Sequence, residues 1–499
     1  MKTTSLIQKL TPFSLLYWEG INKIQWIIVQ IVNVSFICII YYLYFNEFNV
    51  KEFIYSMNML DIIFYGFLIL GFLTILFNTE KLGKAIVTLI ILLGFFLITQ
   101  GSVEIDLKDI WFFMLITLTY IWVVEISKTD SLDVRCLKLL IWCGASLMVL
   151  SSHLILIYIG IELQTFSIFI LITKQRSSLR SAEAGLKYFF LAALSSGLYL
   201  IGMISLFHLY HTMDITVLST FYGLDSFFYG ASALLTLSII FKLALWPLHY
   251  YLPDIYEGSS TDVITLIATL PKISMICFLL KFYCPHQFFL YIGIGSIIVG
   301  SLGGFNQTKL KRLLAYSSIT HLGFMAIAWN LFSSLGIEIL LIYLFLYVFT
   351  SLGLFFLLMK QANQEDIFIV ELTQWSISSK MKSFLWALFF LSLAGLPPLI
   401  GFIGKWWIIV QLINTYYWKT TFCLLFFSCI SIGFYLRLSK IIYFQPYSSY
   451  LTWHSVLKPQ KKDTSTFLSY ILTCVLVFFS LFGVLIPNVW TSLIYLIYL

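Results

Sequence analysis

Seven titratable side chains lie within or beside long apolar segments, where an ionised group needs a physical reason to be present. They are Glu162, Lys187, Lys242, His249, Lys272, His321 and Lys405. A charge in the hydrocarbon of a membrane costs several kcal/mol, so such residues usually face a protein interior or a hydrated cavity and mark ion or proton pathways. A carboxylate, amines and imidazoles together therefore predict proton transfer.

Each of these residues also has a purely structural interpretation. A lysine near the end of a membrane helix, such as Lys405, can extend its ammonium group to the interface. Glu162 could pair with a neighbouring glutamine, and Glu183 and Lys187, four residues apart, could form a surface pair at a helix start. Proton transfer is favoured because Lys242 and Lys405 both fall in proline-interrupted segments.

The physical basis for proton transfer is a balance of two influences on a lysine. Burial away from water disfavours the charged amine, and a nearby carboxylate favours it. Lys242 and Lys405 would then change protonation when a partner moves, and Lys272 with the histidines would connect them across the middle of the membrane. Moving one charge through about 100 mV costs about 2.3 kcal/mol, so a modest change in the local field drives such a step.

The composition requires lipid as the surrounding solvent. Of 499 residues, 60% are hydrophobic and 11% are charged, whereas a soluble domain has about 25% charged residues. The net charge of +7 is spread over short loops, which indicates membrane orientation and not nucleic-acid binding. The eight cysteines are scattered without a C-x-x-C motif, so neither a disulfide framework nor a metal site is predicted.

Apolar runs of about 20 residues can each cross the hydrocarbon core as a helix. The sequence predicts an all-α integral membrane protein with about 14–15 transmembrane helices. They lie near 26–45, 60–77, 85–100, 110–127, 137–152, 153–174, 184–209, 227–247, 258–283, 286–306, 313–332, 335–360, 382–411, 419–444 and 467–497.

Lysine and arginine concentrate in alternate loops between these helices. The positive-inside rule places those loops, and the N-terminus, on the inner side of the membrane. The segment 248–257 breaks the alternation, because it carries Asp254 and Glu257 and no lysine. We expect it to be a loop whose two acidic residues cap the next helix.

Two proline-containing breaks, at 243–247 and 395–398, reveal an internal repeat. Proline removes a backbone donor and clashes with the preceding turn, so it interrupts a helix. Each break falls in the fourth helix, counted from 137–152 or from 286–306. Because five is odd, two successive sets of five helices have opposite orientations, which is typical of inverted-repeat transporters with their sites near mid-membrane.

The repeat divides the chain into four predicted regions. They are an N-terminal region with about four transmembrane helices at 1–136, five-helix repeats at 137–283 and 284–445, and a loop with a C-terminal transmembrane helix at 446–499.

A glycine-rich run in the tenth predicted helix could be mistaken for a nucleotide-binding loop. No strand precedes Gly293, Gly295 and Gly300, and no acidic residue follows at the required distance. Gly300 and Gly304 instead predict a close contact between two helices.

Several short motifs, taken in order, resemble the antiporter-like membrane subunits of respiratory complex I. The resemblance is to the subunit-two branch, called subunit N in bacteria, and it covers about residues 137–445. The motifs are Ile161-Glu162-Leu163-Gln164, Glu183-Ala184-Gly185-Leu186-Lys187-Tyr188, Pro253-Asp254-Ile255-Tyr256-Glu257-Gly258, Pro271-Lys272-Ile273-Ser274, Gln307-Thr308-Lys309-Leu310-Lys311-Arg312-Leu313-Leu314-Ala315-Tyr316-Ser317-Ser318 and Gly395-Leu396-Pro397-Pro398.

This resemblance implies a proton-translocating membrane-arm subunit of NADH:ubiquinone oxidoreductase in the mitochondrial inner membrane. Glu162 and Lys242 resemble the family's glutamate–lysine pair, on the fifth helix and the broken seventh. Lys272 resembles the central lysine, and Lys405 the lysine of the broken twelfth helix. Relatives usually have three helices before the repeat, so the segment 26–45 would be an added helix.

The resemblance also implies partners and cofactors. No cofactor is expected in this chain; flavin, iron–sulfur clusters and ubiquinone would belong to partner subunits. The neighbours would be other membrane-arm subunits and membrane lipids.

Two other functions stay open. The same helices could serve a cation/proton antiporter, which sodium-dependent transport without a redox partner would identify. The chain could also be a structural membrane subunit that has kept the fold and lost pumping. Variants of Glu162 and Lys405 that affect assembly alone would identify that case.

Overall fold

A computed structural model describes residues 107–126, 131–174, 178–220, 226–282, 288–331, 334–361, 368–373, 380–397, 399–444, 477–478 and 480–481. The chain divides into two compact units, one of 1–86 with 130–136 and one of 87–129 with 137–499. Within the first unit the described residues are 131–136, which begin a helix; all other described residues belong to the second unit.

Helices make up nearly all of the regular structure in the described ranges. In chain order they are α1 (Leu107–Ile126), α2 (Leu132–Leu150), α3 (Leu154–Ile172), α4 (Leu179–Tyr210), α5 (Ile215–Thr220), α6 (Ser226–Lys242), α7 (Tyr251–Gly258), α8 (Thr261–Lys281), α9 (Phe288–Phe305), α10 (Leu310–Asn330), α11 (Ser334–Gln361), a 3-10 turn (Ile369–Glu371), α12 (Lys380–Ala394), α13 (Gly401–Asn414) and α14 (Trp418–Phe444).

The helices confirm an all-α integral membrane fold. In the described part of the chain, six are long and apolar enough to cross a membrane, namely α3, α4, α8, α9, α14 and most of α11. The predicted separation near residues 151–153 is confirmed, since α2 ends at Leu150 and α3 begins at Leu154. The predicted helices at 26–45, 60–77 and 85–100, and nearly all of 467–497, lie outside the described residues.

The order of long helices confirms a break in the fourth helix of each predicted set. After α2, α3 and α4 comes α6, which ends at Lys242 and is continued by α7. After α9, α10 and α11 comes α12, which ends at Ala394 and is continued by α13. The opposite orientation of the two sets and their boundaries at 137–283 and 284–445 stay predictions.

The segment 248–257, which was expected to be a loop, is for the most part helical, so that expectation was wrong. Residues Tyr251–Gly258 form α7, the second half of the broken helix. Pro253 is tolerated because it lies in the first turn, where a backbone N–H has no intrahelical acceptor. Asp254 lies in the same turn, where the helix dipole favours an acidic side chain. The acidic segment therefore belongs to the broken helix and not to a loop between helices, so it need not follow the alternation of basic loops.

Helix α8 forms the centre of the described fold. Of its most apolar stretch 89% is buried, and it contacts α1, α3, α6 and α11. Pro271 lies inside α8 without ending it. The next residue, Lys272, is therefore held in the protein interior.

Helices α9 and α10 pack closely through glycine, as the Gly300 and Gly304 spacing predicts. A Cβ atom on Gly300 would lie 2.9 Å from the backbone nitrogen of Thr320. One turn later, a Cβ on Gly304 would lie 3.2 Å from the ring of Phe434 on α14. Small residues at these positions let three helices approach each other.

Candidate functional site

The first helix break places Lys242 at the last residue of α6. Ala244 follows with a left-handed φ of 55°, and its N–H donates to the carbonyl of Phe241 at 3.0 Å. The hydroxyl of Tyr251 on α7 donates to the carbonyl oxygens of Phe241 and Lys242, at 2.7 and 3.2 Å. These contacts satisfy carbonyl groups that the end of a helix leaves without intrahelical partners.

The second break has the same backbone form but a different cap. Gly395 has a left-handed φ of 76°, and its N–H donates to the carbonyl of Leu391 at 3.2 Å. Lys405, on the second half-helix α13, donates to the carbonyl oxygens of Ala394 at 2.6 Å and Leu393 at 3.3 Å. A cation at the C-terminal end of α12 is favoured by the helix dipole.

A buried cavity of about 40 Å³ lies where α3, α4, α6 and α8 meet. Its lining includes Gln164, Tyr188, Lys242, Tyr251 and Lys272. The Nζ atom of Lys242 is buried, and no described residue accepts a hydrogen bond from it. The break in α6 and the proline in α8 thus bring two lysines from different helices to one enclosed space.

Glu162 lies on α3 close to this cavity. Its Oε2 atom is 3.3 Å from the hydroxyl of Thr165, which lines the cavity. Its Oε1 atom is buried and has no hydrogen-bond partner within the described ranges. Glu162 thus lies near the cavity that Lys242 lines. The pairing of Glu162 with Lys242 stays a prediction.

Lys272 also contacts the second half of the molecule. Its Nζ atom donates to the hydroxyl of Tyr347 on α11 at 2.8 Å and lies 5.1 Å from the centre of that ring. Such a cation–π contact stabilises the ammonium form. Lys272 thus faces the cavity on one side and an aromatic hydroxyl on the other.

His321 lies between two tyrosine hydroxyls in the interior. Its Nδ1 atom is 2.8 Å from the hydroxyl of Tyr343 on α11. Its Nε2 atom is 3.4 Å from the hydroxyl of Tyr435 on α14. All three side chains are buried. Because a neutral imidazole has one donor and one acceptor nitrogen, the two tyrosines take opposite hydrogen-bonding roles.

Lys405 lies near His321 through a different pair of rings from that beside Lys272. Its Nζ atom lies 5.6 Å from the ring of Phe324, which stacks on Tyr343 at 5.9 Å. Five of the predicted residues thus form a row across the described bundle, here called the buried row, namely Glu162, Lys242, Lys272, His321 and Lys405. Lys272, His321 and Lys405 are buried, whereas Glu162 and Lys242 are part-exposed with a buried Oε1 and a buried Nζ atom.

The remaining two predicted residues lie apart from this row. Lys187 is part-exposed on α4 and forms ion pairs with Glu183 and Asp254, both at 2.6 Å. His249 lies between the two halves of the first broken helix, with its ring 4.3 Å from that of Tyr250. It is buried, but it is not among the described residues that line the cavity.

A cluster of ion pairs joins three helices at one end of the bundle. Asp254 and Glu257 of α7 both contact Arg312 of α10, at 3.0 and 3.3 Å. Glu257 also pairs with Lys309, and Asp254 with Lys187 of α4. The two acidic residues, which were expected to cap α8, instead hold α7 between its neighbours.

The buried tyrosines are the part of the site that residue-type reasoning missed. Tyr343 and Tyr347 are one turn apart inside an apolar helix, so their hydroxyls share a face. A polar group at membrane depth favours the protein interior, and this spacing could have indicated it. In the described ranges, no group of three His, Cys, Asp or Glu side chains is arranged to hold a metal ion.

Comparison with known proteins finds a matching family and relatives of similar sequence. Residues 151–431 match a family described as NADH:quinone oxidoreductase/Mrp antiporter, transmembrane. NADH-ubiquinone oxidoreductase chain 2 of Metridium senile is 38% identical over 335 residues, which cover 65% of this chain and 87% of that protein. NADH-quinone oxidoreductase subunit N of Paramagnetospirillum magneticum is 34% identical over 346 residues, covering 64% and 70%.

Two solved structures share the fold. A chain of respiratory complex I from Thermus thermophilus superposes with a TM-score of 0.72 at 24% identity, covering 86% of this chain and 96% of that one. A chain of the Mrp complex from Dietzia sp. gives a TM-score of 0.66 at 16% identity, covering 77% and 82%.

Proposed function

Because this chain belongs to the NADH:quinone oxidoreductase/Mrp antiporter transmembrane family, we propose that it is a proton-translocating membrane-arm subunit of an NADH:ubiquinone oxidoreductase, respiratory complex I. The observation that carries the proposal is the meeting of Lys242 and Lys272 at one buried cavity. The relatives named above are subunits of such oxidoreductases by their names. The fold by itself would not require ionisable side chains in the interior of the protein.

The cavity supports proton exchange between the two lysines. The cavity of about 40 Å³ is lined by two amines, an amide and several hydroxyls among mostly apolar side chains. It has room for about three water molecules, since one needs roughly 10–15 Å³. A water molecule there would accept a hydrogen bond from the Nζ atom of Lys242. Without it, this buried donor has no partner among the described residues, which is unfavourable. A proton can then pass from one amine to the other through hydrogen-bonded water.

Glu162 and the tyrosine–histidine cluster extend this path in both directions. Glu162 lies close to the cavity that Lys242 lines, and a carboxylate near an amine can exchange a proton with it when either group moves. Lys272 passes the proton toward His321 on the side where its Nζ atom contacts the hydroxyl of Tyr347. Lys405 receives it beside the second break.

The ion-paired end of the bundle supplies the route for proton uptake. Lys187 and Asp254 are reached by solvent, and Tyr188 and Tyr251, close to them in sequence, line the cavity. His249 lies between Lys242 and Asp254 along the chain and carries a buried Nδ1 with no described partner. We assign Lys187 and His249 to this uptake route and the five residues of the buried row to the lateral path.

The redox part of the reaction belongs to other subunits in this proposal. Flavin, iron–sulfur clusters and ubiquinone would be bound by those partners, and this chain would contribute helices and proton carriers. Its neighbours would be other membrane-arm subunits and lipid. The mitochondrial inner membrane is the proposed location, which the relative named chain 2 from Metridium senile supports.

A cation/proton antiporter is the second candidate, favoured by the family's description and by the fold shared with an Mrp complex chain. Sodium-driven transport by vesicles that contain the chain without redox subunits would identify it. In the complex I proposal, transport instead requires electron transfer to quinone. A subunit that has only a structural role would tolerate loss of the buried charges.

The test uses Lys242→Met in the assembled complex, reconstituted in vesicles. We expect quinone-coupled proton pumping to fall by about a hundredfold or more, since loss of a proton-transfer side chain commonly costs roughly two to four powers of ten. NADH oxidation by an artificial electron acceptor should stay unchanged, because it does not use the membrane arm. Exposed Lys440 provides the control Lys440→Met, which removes a charge outside the row.

Normal pumping by Lys242→Met would remove Lys242 from the path and overturn the proposal. Reduced pumping by Lys440→Met to the same degree would attribute the effect to net charge. A loss of assembled complex with intact pumping per complex would identify a structural role.

A further inference from the structure

The two halves of the buried row are built differently. Lys242 and Lys272 meet at a cavity, whereas the described side chains between Lys272 and Lys405 are packed aromatic rings. The rings of Tyr343 and Tyr347 lie 6.0 and 5.5 Å from that of His321. The imidazole and the tyrosine hydroxyls among these rings offer a side-chain route for a proton through this half.

Tyr343 is the side chain that reaches from His321 toward Lys405. Its hydroxyl is 2.8 Å from Nδ1 of His321, a normal hydrogen-bond distance. Its ring stacks on Phe324, over which the Nζ atom of Lys405 lies. A Cβ atom on Gly404, next to Lys405, would lie 2.5 Å from the nearest atom of the Tyr343 ring, so this glycine allows α13 to pack directly on it.

The hydroxyl of Tyr435 lies 3.4 Å from Nε2, the other ring nitrogen of His321, which is the longer of the two distances. Because both ring nitrogens have a tyrosine partner, the imidazole can exchange its donor and acceptor ends without leaving its position. Tyr435 is therefore a positioning residue in this arrangement, and Tyr343 lies on the side of Lys405.

We propose that Tyr343 is a proton-transfer residue that connects His321 to Lys405. This inference rests on the proposed function and deepens it, since it names how the proton crosses the aromatic half of the row.

The step balances without any change in electrons. Lys272 releases one proton, which reaches Nε2 of His321 and forms an imidazolium. The N–H bond at Nδ1 then breaks as an O–H bond forms on Tyr343, and the original hydroxyl proton of Tyr343 passes to the neutral amine of Lys405. Lys405 has four flexible carbons, so it can leave the carbonyl of Ala394 to collect that proton. One proton leaves Lys272, one arrives at Lys405, and both rings return to neutral forms.

The test compares Tyr343→Phe and Tyr343→His in the assembled complex, with rates expressed per flavin so that a lower yield of complex does not affect them. Phenylalanine keeps the ring and removes the hydroxyl, and we expect proton pumping to fall by about a hundredfold, as for other proton-transfer groups. Histidine keeps a group that can pass a proton and should restore part of the loss. If Tyr343 only filled space, Tyr343→Phe would pump faster than Tyr343→His, because phenylalanine keeps the ring.

Tyr199→Phe is the matched control, since Tyr199 is equally buried and its hydroxyl donates to the carbonyl of Leu154, away from the row. It should pump at the unmodified rate. Normal pumping by Tyr343→Phe, or pumping by Tyr343→His no better than that of Tyr343→Phe, would overturn the inference. If Lys242→Met abolishes pumping while Tyr343→Phe does not, the proposed function stands and this inference alone fails.

Discussion

Tyr251 holds the end of the helix that carries Lys242, because its hydroxyl donates to the carbonyl oxygen of Lys242 itself and to that of Phe241. At the second break the corresponding carbonyls, those of Leu393 and Ala394, accept from the Nζ atom of Lys405. One break is thus capped by a neutral hydroxyl and the other by a titratable amine. A change in the charge of Lys405 therefore alters the second break directly, whereas the first can stay in place.

The Tyr251 contact predicts a stability effect. Tyr251→Phe would remove the hydroxyl from which two buried carbonyl oxygens accept hydrogen bonds, and this lowers the free energy of unfolding by about 1–3 kcal/mol. The expected result is a lower midpoint of thermal inactivation for the purified complex. Tyr250→Phe is the neighbouring control, because Tyr250 is 75% exposed and should leave the midpoint unchanged. Equal midpoints for the two variants would show that the cap contributes nothing.

Gly395 and Ala244 predict opposite responses at equivalent backbone positions. Gly395→Ala would place a Cβ at φ 76° and 2.8 Å from Cδ of Lys405, so we expect a loss of stability of about 1–2 kcal/mol from the left-handed backbone alone. Ala244→Gly removes a Cβ at φ 55° and should be tolerated. Thermal inactivation of both variants tests this, and a more severe effect at Ala244 would contradict it.

Gly300 predicts sensitivity to size between α9 and α10. A Cβ there would lie 2.9 Å from backbone atoms of Thr320 and Tyr316, which cannot move aside as a flexible side chain would. Gly300→Val should therefore destabilise the chain by about 1–3 kcal/mol and reduce the amount of assembled complex. Gly230→Val is the control, because nothing lies within 4 Å of a Cβ at Gly230. Assembly is read from the amount of complex on a native gel, and equal yields would argue against close packing.

The ion pair between Lys281 and Asp109, at 2.9 Å, joins the end of α8 to α1. Lys281 also donates to the carbonyl of Val149, so it caps the end of α2. The two side chains are 16% and 17% exposed, and a double-mutant cycle should give a coupling of roughly 1–2 kcal/mol. The exposed pair of Glu183 and Lys187 should give below about 0.5 kcal/mol. A cycle in which the exposed pair couples more strongly would reject this ranking.

Hydropathy was sufficient to predict the unbroken helices, but it did not predict both halves of a broken helix. The separation of α2 from α3 followed from the polar residues near 151–153, because a span needs about 20 apolar residues. The stretch 248–257 was misjudged because its proline and acidic residues are typical of a loop when packing is ignored. The ion pairs of Asp254 and Glu257 with α4 and α10 keep it helical next to the bundle.

The candidate site was predictable by residue type and only partly by position. Glu162, Lys242, Lys272, His321 and Lys405 were found because charge is costly in hydrocarbon, and the fold gathers all five. Lys187 and His249 satisfied the same criterion but lie apart. The tyrosines were missed because a hydroxyl carries no charge, and tyrosine is common in this chain, with 30 in all.

The sequence by itself determined that this protein is embedded in lipid and which of its side chains can carry a proton. It also determined the approximate start and end of each helix across most of the described part. These properties are local, because hydropathy and proline chemistry act over one helix at a time. Only the tertiary structure decided that Lys272 reaches Tyr347, 75 residues away, and that His321 lies between Tyr343 and Tyr435. Such contacts depend on how each helix is rotated about its axis, and that rotation is selected by the packing of all its neighbours together.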